Sequence, residues 1–71
     1  MMSEQNIAFN VEGMSCENCA RSIKNALMQL NGVYNVIVDI ETKRVAIEYD
    51  DERLNDEIIR ETIEDRGFKI R

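Results

Sequence analysis

This sequence predicts an α+β sandwich: one antiparallel four-stranded sheet with two helices on one face, in the order β-α-β-β-α-β. Three observations predict it. Short segments alternate apolar and polar residues with period 2, two longer segments repeat apolar residues with helical period, and Gly or Asn punctuates all but one of the joins between them. The 71 residues leave room for a single domain, taken as 1–71, with no linker, repeat or low-complexity stretch.

The first strand is Ile7, Phe9 and Val11 alternating with Ala8, Asn10 and Glu12, and Gly13 breaks it. A helix is expected from Ser15 or Cys16 to Leu30, since Ala20, Ile23, Ala26 or Leu27, and Leu30 share one face. Ser15 is its expected N-cap and Asn31-Gly32 its stop. Val36, Val38 and Ile40 form one face of the second strand, and Val45, Ile47 and Tyr49 that of the third. The connection Glu41-Thr42-Lys43-Arg44 has hairpin length but no glycine to name its turn. Asn55 caps the second helix, with Leu54 and Ile59 as a hydrophobic staple, Ile63 on the buried face and Gly67 at the end. Phe68 and Ile70, alternating with Lys69 and Arg71, give a last short strand. Two βαβ halves of this kind, with right-handed crossovers, make a ferredoxin-like open-faced sandwich.

The net charge is −5. From Glu48 to Asp65 nine acids face two bases, a local net of −7, which leaves +2 for the rest. An acidic chain repels nucleic acid and anionic lipid, so neither is an expected partner. The acidic stretch itself reads as a solvated face. No stretch approaches 18 apolar residues, so no membrane insertion is expected. The start, Met1 to Asn6, lacks the basic region and apolar run of a signal peptide, so the expected compartment is the cytoplasm, where thiols stay reduced.

Everything else reads as a scaffold for Gly13-Met14-Ser15-Cys16-Glu17-Asn18-Cys19, which holds both cysteines of the chain. A bridge between Cys16 and Cys19 closes too short a loop to stabilise the fold much, so the pair points to chemistry. Structural zinc wants four ligands and an iron–sulfur cluster four thiolates, and the chain has two cysteines and no histidine. Thioredoxin-like redox work uses this spacing, but that fold relies on a cis-proline and this chain has no proline. Cu(I) is soft and accepts two sulfurs in line, so two thiolates at a helix N-terminus suffice for it. The helix dipole, with Arg21 and Lys24 at longer range, is expected to favour those thiolates. A redox pair, a soft-metal site and two incidental cysteines all stay open on the residues alone.

The motif resembles the Gly-Met-x-Cys-x-x-Cys signature of heavy-metal-associated domains. The resemblance extends to Leu30-Asn31-Gly32-Val33 and to Ile63-Glu64-Asp65-Arg66-Gly67-Phe68, and so covers essentially the whole chain. It implies a metal site made of Cys16 and Cys19, with Met14 pointing into the core beneath the loop. It implies Cu(I) as the metal and no enzyme activity. The chain would be a cytosolic copper chaperone that passes the ion by thiolate exchange to a copper-transporting P-type ATPase or its metal-binding domain, Cys16 engaging the partner first. The alternative is the N-terminal metal-binding module of such an ATPase; a zinc- or mercury-binding homologue and a thiol oxidoreductase rank below. Zinc and cadmium modules often carry aspartate where this chain has Ser15, and mercury-binding proteins mostly begin with a signal peptide; both points favour Cu(I). Phe68, at a position close to the loop in this family, leans toward an ATPase module, and the short chain toward a chaperone. Arg21, Lys24, Arg66 and Lys69 lead to the expectation of an acidic partner surface. Two exposed loops sharing Cu(I) would give a metal-bridged homodimer.

Overall fold

The computed structural model describes residues 4–71; the part of the signal-peptide reading that falls on Met1 to Ser3 lies outside them. Strands β1 (Glu4–Glu12), β2 (Val33–Asp39), β3 (Arg44–Asp50) and β4 (Lys69–Ile70) alternate with helices α1 (Glu17–Met28) and α2 (Asp56–Glu64) in the expected order. The sheet runs β2-β3-β1-β4, antiparallel throughout.

Register follows the apolar alternation, because a slip by one residue would turn every apolar side chain to the wrong face. Ile7 lies opposite Ile47, Phe9 opposite Val45, Val36 opposite Ile47 and Val38 opposite Val45. These side chains form one cluster with Ile23 and Leu27 of α1 and Ile59 and Ile63 of α2, so both helices cover the same face. The opposite face is open and carries the row Ala8, Ala46 and Ile37.

α2 starts as its sequence dictates. The Asn55 side chain accepts the Ile58 N–H at 2.9 Å, and Leu54 and Ile59 are both buried as the staple requires. Arg60 adds a contact of 5.6 Å from its guanidinium carbon to the centre of the Phe9 ring.

Several boundaries differ from the expectation. β1 begins at Glu4 rather than Ile7, because β3 offers backbone partners out to Glu4–Asp50 whatever the side chains there. β2 spans Val33 to Asp39, and Ile40 falls in the turn. There the Asp39 carboxylate accepts the Glu41 and Thr42 N–H groups, which bends the chain one residue early. The turn closes with Lys43 at φ +58°, a left-handed conformation taken without glycine. The β2–β3 register shifts between Val33 and Asn35, a bulge at Tyr34. α1 stops at Met28, and Leu30 instead donates its N–H to the Leu27 carbonyl in a tighter turn. Phe68 precedes the two-residue β4 rather than opening it.

Candidate metal centre

At the end of β1, Gly13 turns the chain with φ +87°, and the Ser15 N–H closes a tight turn on the Gly13 carbonyl at 3.0 Å. This drops Met14 into the interior, where its side chain is fully buried within the core cluster. A Cβ on Gly13 would stand 3.6 Å from Cδ1 of Phe68, so Phe68 borders the root of the loop while its ring packs on the core.

The N-cap of α1 is Cys16, not Ser15. Cys16 is extended (φ −141°, ψ 162°), its carbonyl accepts the first helical bond from Ala20, and its Sγ accepts the Cys19 N–H at 3.2 Å. A capping acceptor lies two or three residues before the N–H it satisfies, and here it lies three before the N–H of Cys19. A thiol thus fills a place normally held by a hydroxyl or carboxylate, and Ser15 is left exposed one residue outside the cap. The spacing of the two cysteines is therefore the spacing from N-cap to third helical residue. Forming the helix end is what brings the sulfurs together.

The two Sγ atoms are 2.6 Å apart and both thiols are free. Cys16 is exposed and Cys19 half-buried at the start of the helix. The Cys16 thiol is held below its ordinary pKa, first by the hydrogen bond from the Cys19 thiol and next by the Cys19 N–H. The same sulfur–sulfur bond, with some desolvation, pushes the Cys19 thiol up. Of the two thiols, Cys16 is therefore the readier to ionise. The donors that lower its pKa come from the first turn of α1, from Cys19 and the Asn18 backbone.

Among the described residues no group of three or more cysteine, histidine, aspartate or glutamate side chains converges. The loop offers two soft donors at the surface. A closed four-ligand site would need donors from elsewhere. Nor do the four basic residues form one patch. Arg21 and Lys24 line a groove between α1 and β2, Arg66 lines another with Ala26 and Leu30, and Lys69 sits opposite Glu12 across β1 and β4. Among the described residues no helix is long and apolar enough to cross a membrane.

Comparison with known proteins gives the same assignment over most of the chain. The model of the heavy-metal-associated domain matches residues 8–69. The copper chaperone CopZ of Staphylococcus haemolyticus is 41% identical over 66 residues, covering 93% of this chain and 97% of that protein. Among solved structures, a CopZ metallochaperone superposes with a TM-score of 0.92 at 33% identity, over 94% of this chain and all of that one. A copper-binding domain from HMA7, a P-type ATPase, superposes with a TM-score of 0.89 at 36% identity, over 93% and 89%. The capped cysteine loop, the six-element order and these matches agree, and the chain belongs to the heavy-metal-associated domain family.

Proposed function

We propose that this chain carries Cu(I) on Cys16 and Cys19 and passes it by thiolate exchange to a copper-transporting P-type ATPase or to the metal-binding domain of one. The carrying observation is the pair itself: two thiols in contact, one exposed and one anchored in the first turn of α1. Soft sulfur donors suit Cu(I), and two of them satisfy its preference for coordination in line. Relatives named as copper chaperones and a neighbouring ATPase copper-binding domain support the choice of metal and partner. Free thiols suit the reducing cytoplasm, which is the compartment this reading assigns.

The sulfurs must part to take the ion. With metal–sulfur bonds of about 2.3 Å, an in-line arrangement needs a separation near twice that, against 2.6 Å here. Cys16 is the sulfur free to move, since it lies outside the helix, whereas Cys19 is fixed within it. Loading therefore exchanges the bond from the Cys19 N–H for a bond to the metal and releases whatever protons the two thiols carry. In transfer, a thiolate of the partner attacks the two-coordinate ion and a three-sulfur intermediate forms. The exposed Cys16 meets the partner first, and one of the two ligands then leaves. No covalent bond of a substrate is made or broken, so the activity is carriage and not catalysis.

A second reading, a copper-binding module of an ATPase, draws on the likeness to the HMA7 domain. It shares the same site and the same test. That test is an anaerobic titration of the reduced protein with Cu(I) against a competing chelator, beside Zn(II) and Hg(II), repeated on Cys16→Ser and Cys19→Ser. One Cu(I) per chain, bound tightly and lost in both variants, supports the reading. Half an equivalent with dimerisation gives the metal-bridged form. Stronger Zn(II) binding overturns the choice of metal.

A further inference from the structure

β2 is an edge strand, paired with β3 alone. Alternate N–H and C=O groups along its outer side therefore have no strand beside them. The opposite edge is the two-residue β4 together with the part of β1 that it leaves unpaired, a stretch that begins with the acidic Glu4. β2 runs for seven residues, with its irregularity confined to the Val33 end. Proteins close such edges with proline, lysine or a covering segment, and the stretch VYNVIVD contains neither residue. Its central residue on the open face, Ile37, is 59% exposed.

Beside this edge lies a groove of about 460 Å³ between α1 and β2. Arg21 and Lys24 form its helical wall and Asn35 to Val38 its strand wall, and no acidic residue lines it. Among the described residues neither Arg21 nor Lys24 makes an ion pair. In a chain of net charge −5 this is a locally basic strip along an unpaired backbone.

We propose that the β2 edge takes one further strand, an extended acidic segment of a partner protein, whose backbone pairs with β2 and whose carboxylates meet Arg21 and Lys24. Main-chain bonds would supply the affinity, and the alternating side chains the choice of sequence. A second copy of this chain fits the edge less well. About a twofold axis its own β2 would face this one, and the Arg21 and Lys24 of both copies would fall on the same side of the seam, like charge beside like charge. The proposal does not depend on the cysteines holding a metal.

The test uses metal-free, reduced, isotopically labelled protein, so that its outcome is separate from that of the copper titration. The probe is a synthetic peptide alternating glutamate with valine. Amide shifts along Asn35 to Asp39 and at Arg21 and Lys24, with slowed hydrogen exchange of the outer β2 amides, are the expected result. Affinity falls about tenfold in the double variant Arg21→Glu/Lys24→Glu. Binding is lost when alternate peptide nitrogens are methylated, a change that cannot disturb the fold of the protein. Equal binding of the methylated peptide overturns strand addition. So do shifts confined to the cysteine loop, no shifts at millimolar peptide, or self-association of the free protein through β2.

Discussion

The Sγ of Cys16 accepts the Cys19 N–H at 3.2 Å and stands 2.6 Å from the Cys19 Sγ, so negative charge on it is stabilised by donors from its own partner. The two bonds predict an order of reactivity. In metal-free reduced protein, iodoacetamide modifies Cys16 before Cys19, with a pH midpoint below that of an ordinary thiol, near 8.5. The sign follows from which form each bond favours. Donors to the Cys16 sulfur stabilise its thiolate and lower its pKa, while the same sulfur–sulfur bond raises that of Cys19. Cys19→Ala removes the larger cause of the lowering but keeps the backbone N–H. The Cys16 midpoint then rises part of the way toward the ordinary value, as mass spectrometry of alkylation against pH would show. A midpoint unchanged in Cys19→Ala would transfer the effect to the helix end alone. The sequence showed the two cysteines and their place beside a helix start. It did not show that one of them is the cap, because capping preferences are drawn from oxygen acceptors and Ser15 stood ready one residue earlier.

Among the elements, α2 and the β2–β3 hairpin show what sequence pattern reveals and what it hides. Asn55 followed by Ile58 and Ile59, with Leu54 before it, is a local signal, and the structure forms it where the residues lie. Asn55→Ala accordingly removes the acceptor for the Ile58 N–H and destabilises the protein by about 1 kcal/mol in chemical denaturation. A loss near zero would mean that water replaces the cap. The hairpin was legible as a connection but not as a turn. Its left-handed residue is Lys43, a side chain with no preference for that conformation, held by the pairing of Asp39 with Arg44 on either side. Strain of roughly 1–2 kcal/mol at Lys43, less the extra freedom glycine gains in the unfolded chain, predicts that Lys43→Gly stabilises by about 0.5 kcal/mol. Gly32→Ala makes the opposite case. Its φ is +113°, and a Cβ there would stand 3.0 Å from Cβ of Arg53 at the crossing into α2, so strain and crowding add. That variant loses more than 1 kcal/mol. The strand ends were hidden for a different reason: Glu4 to Asn6 carry no apolar alternation and are extended because β3 lies beside them.

Across the whole molecule, the cysteine loop and the core are joined through Met14. Its backbone lies in the loop, between Gly13 and Ser15, and its side chain has no exposed surface and belongs to the core cluster that also holds Ile23 and Leu27 of α1 and Ile59 and Ile63 of α2. Met14 therefore ties the candidate site to the core that β1 and both helices share. A 71-residue chain holds roughly 4–10 kcal/mol of stability, so this contact is a large share of what keeps the loop in place. Met14→Ala leaves a cavity in the core and costs about 2–5 kcal/mol. At roughly 4–8 °C per kcal/mol for a domain of this size, its melting temperature falls by about eight degrees or more, without metal. Met14→Leu preserves the volume and costs less than about 1.5 kcal/mol. Leucine has no sulfur, so this variant separates a packing role from a ligand role. With Met14 buried as observed, Met14→Leu retains the Cu(I) affinity of the parent protein in the chelator competition, while its metal-free form melts a few degrees lower. A Met14→Leu protein that melts normally but loses its hold on Cu(I) would mean that the thioether leaves the core to reach the ion.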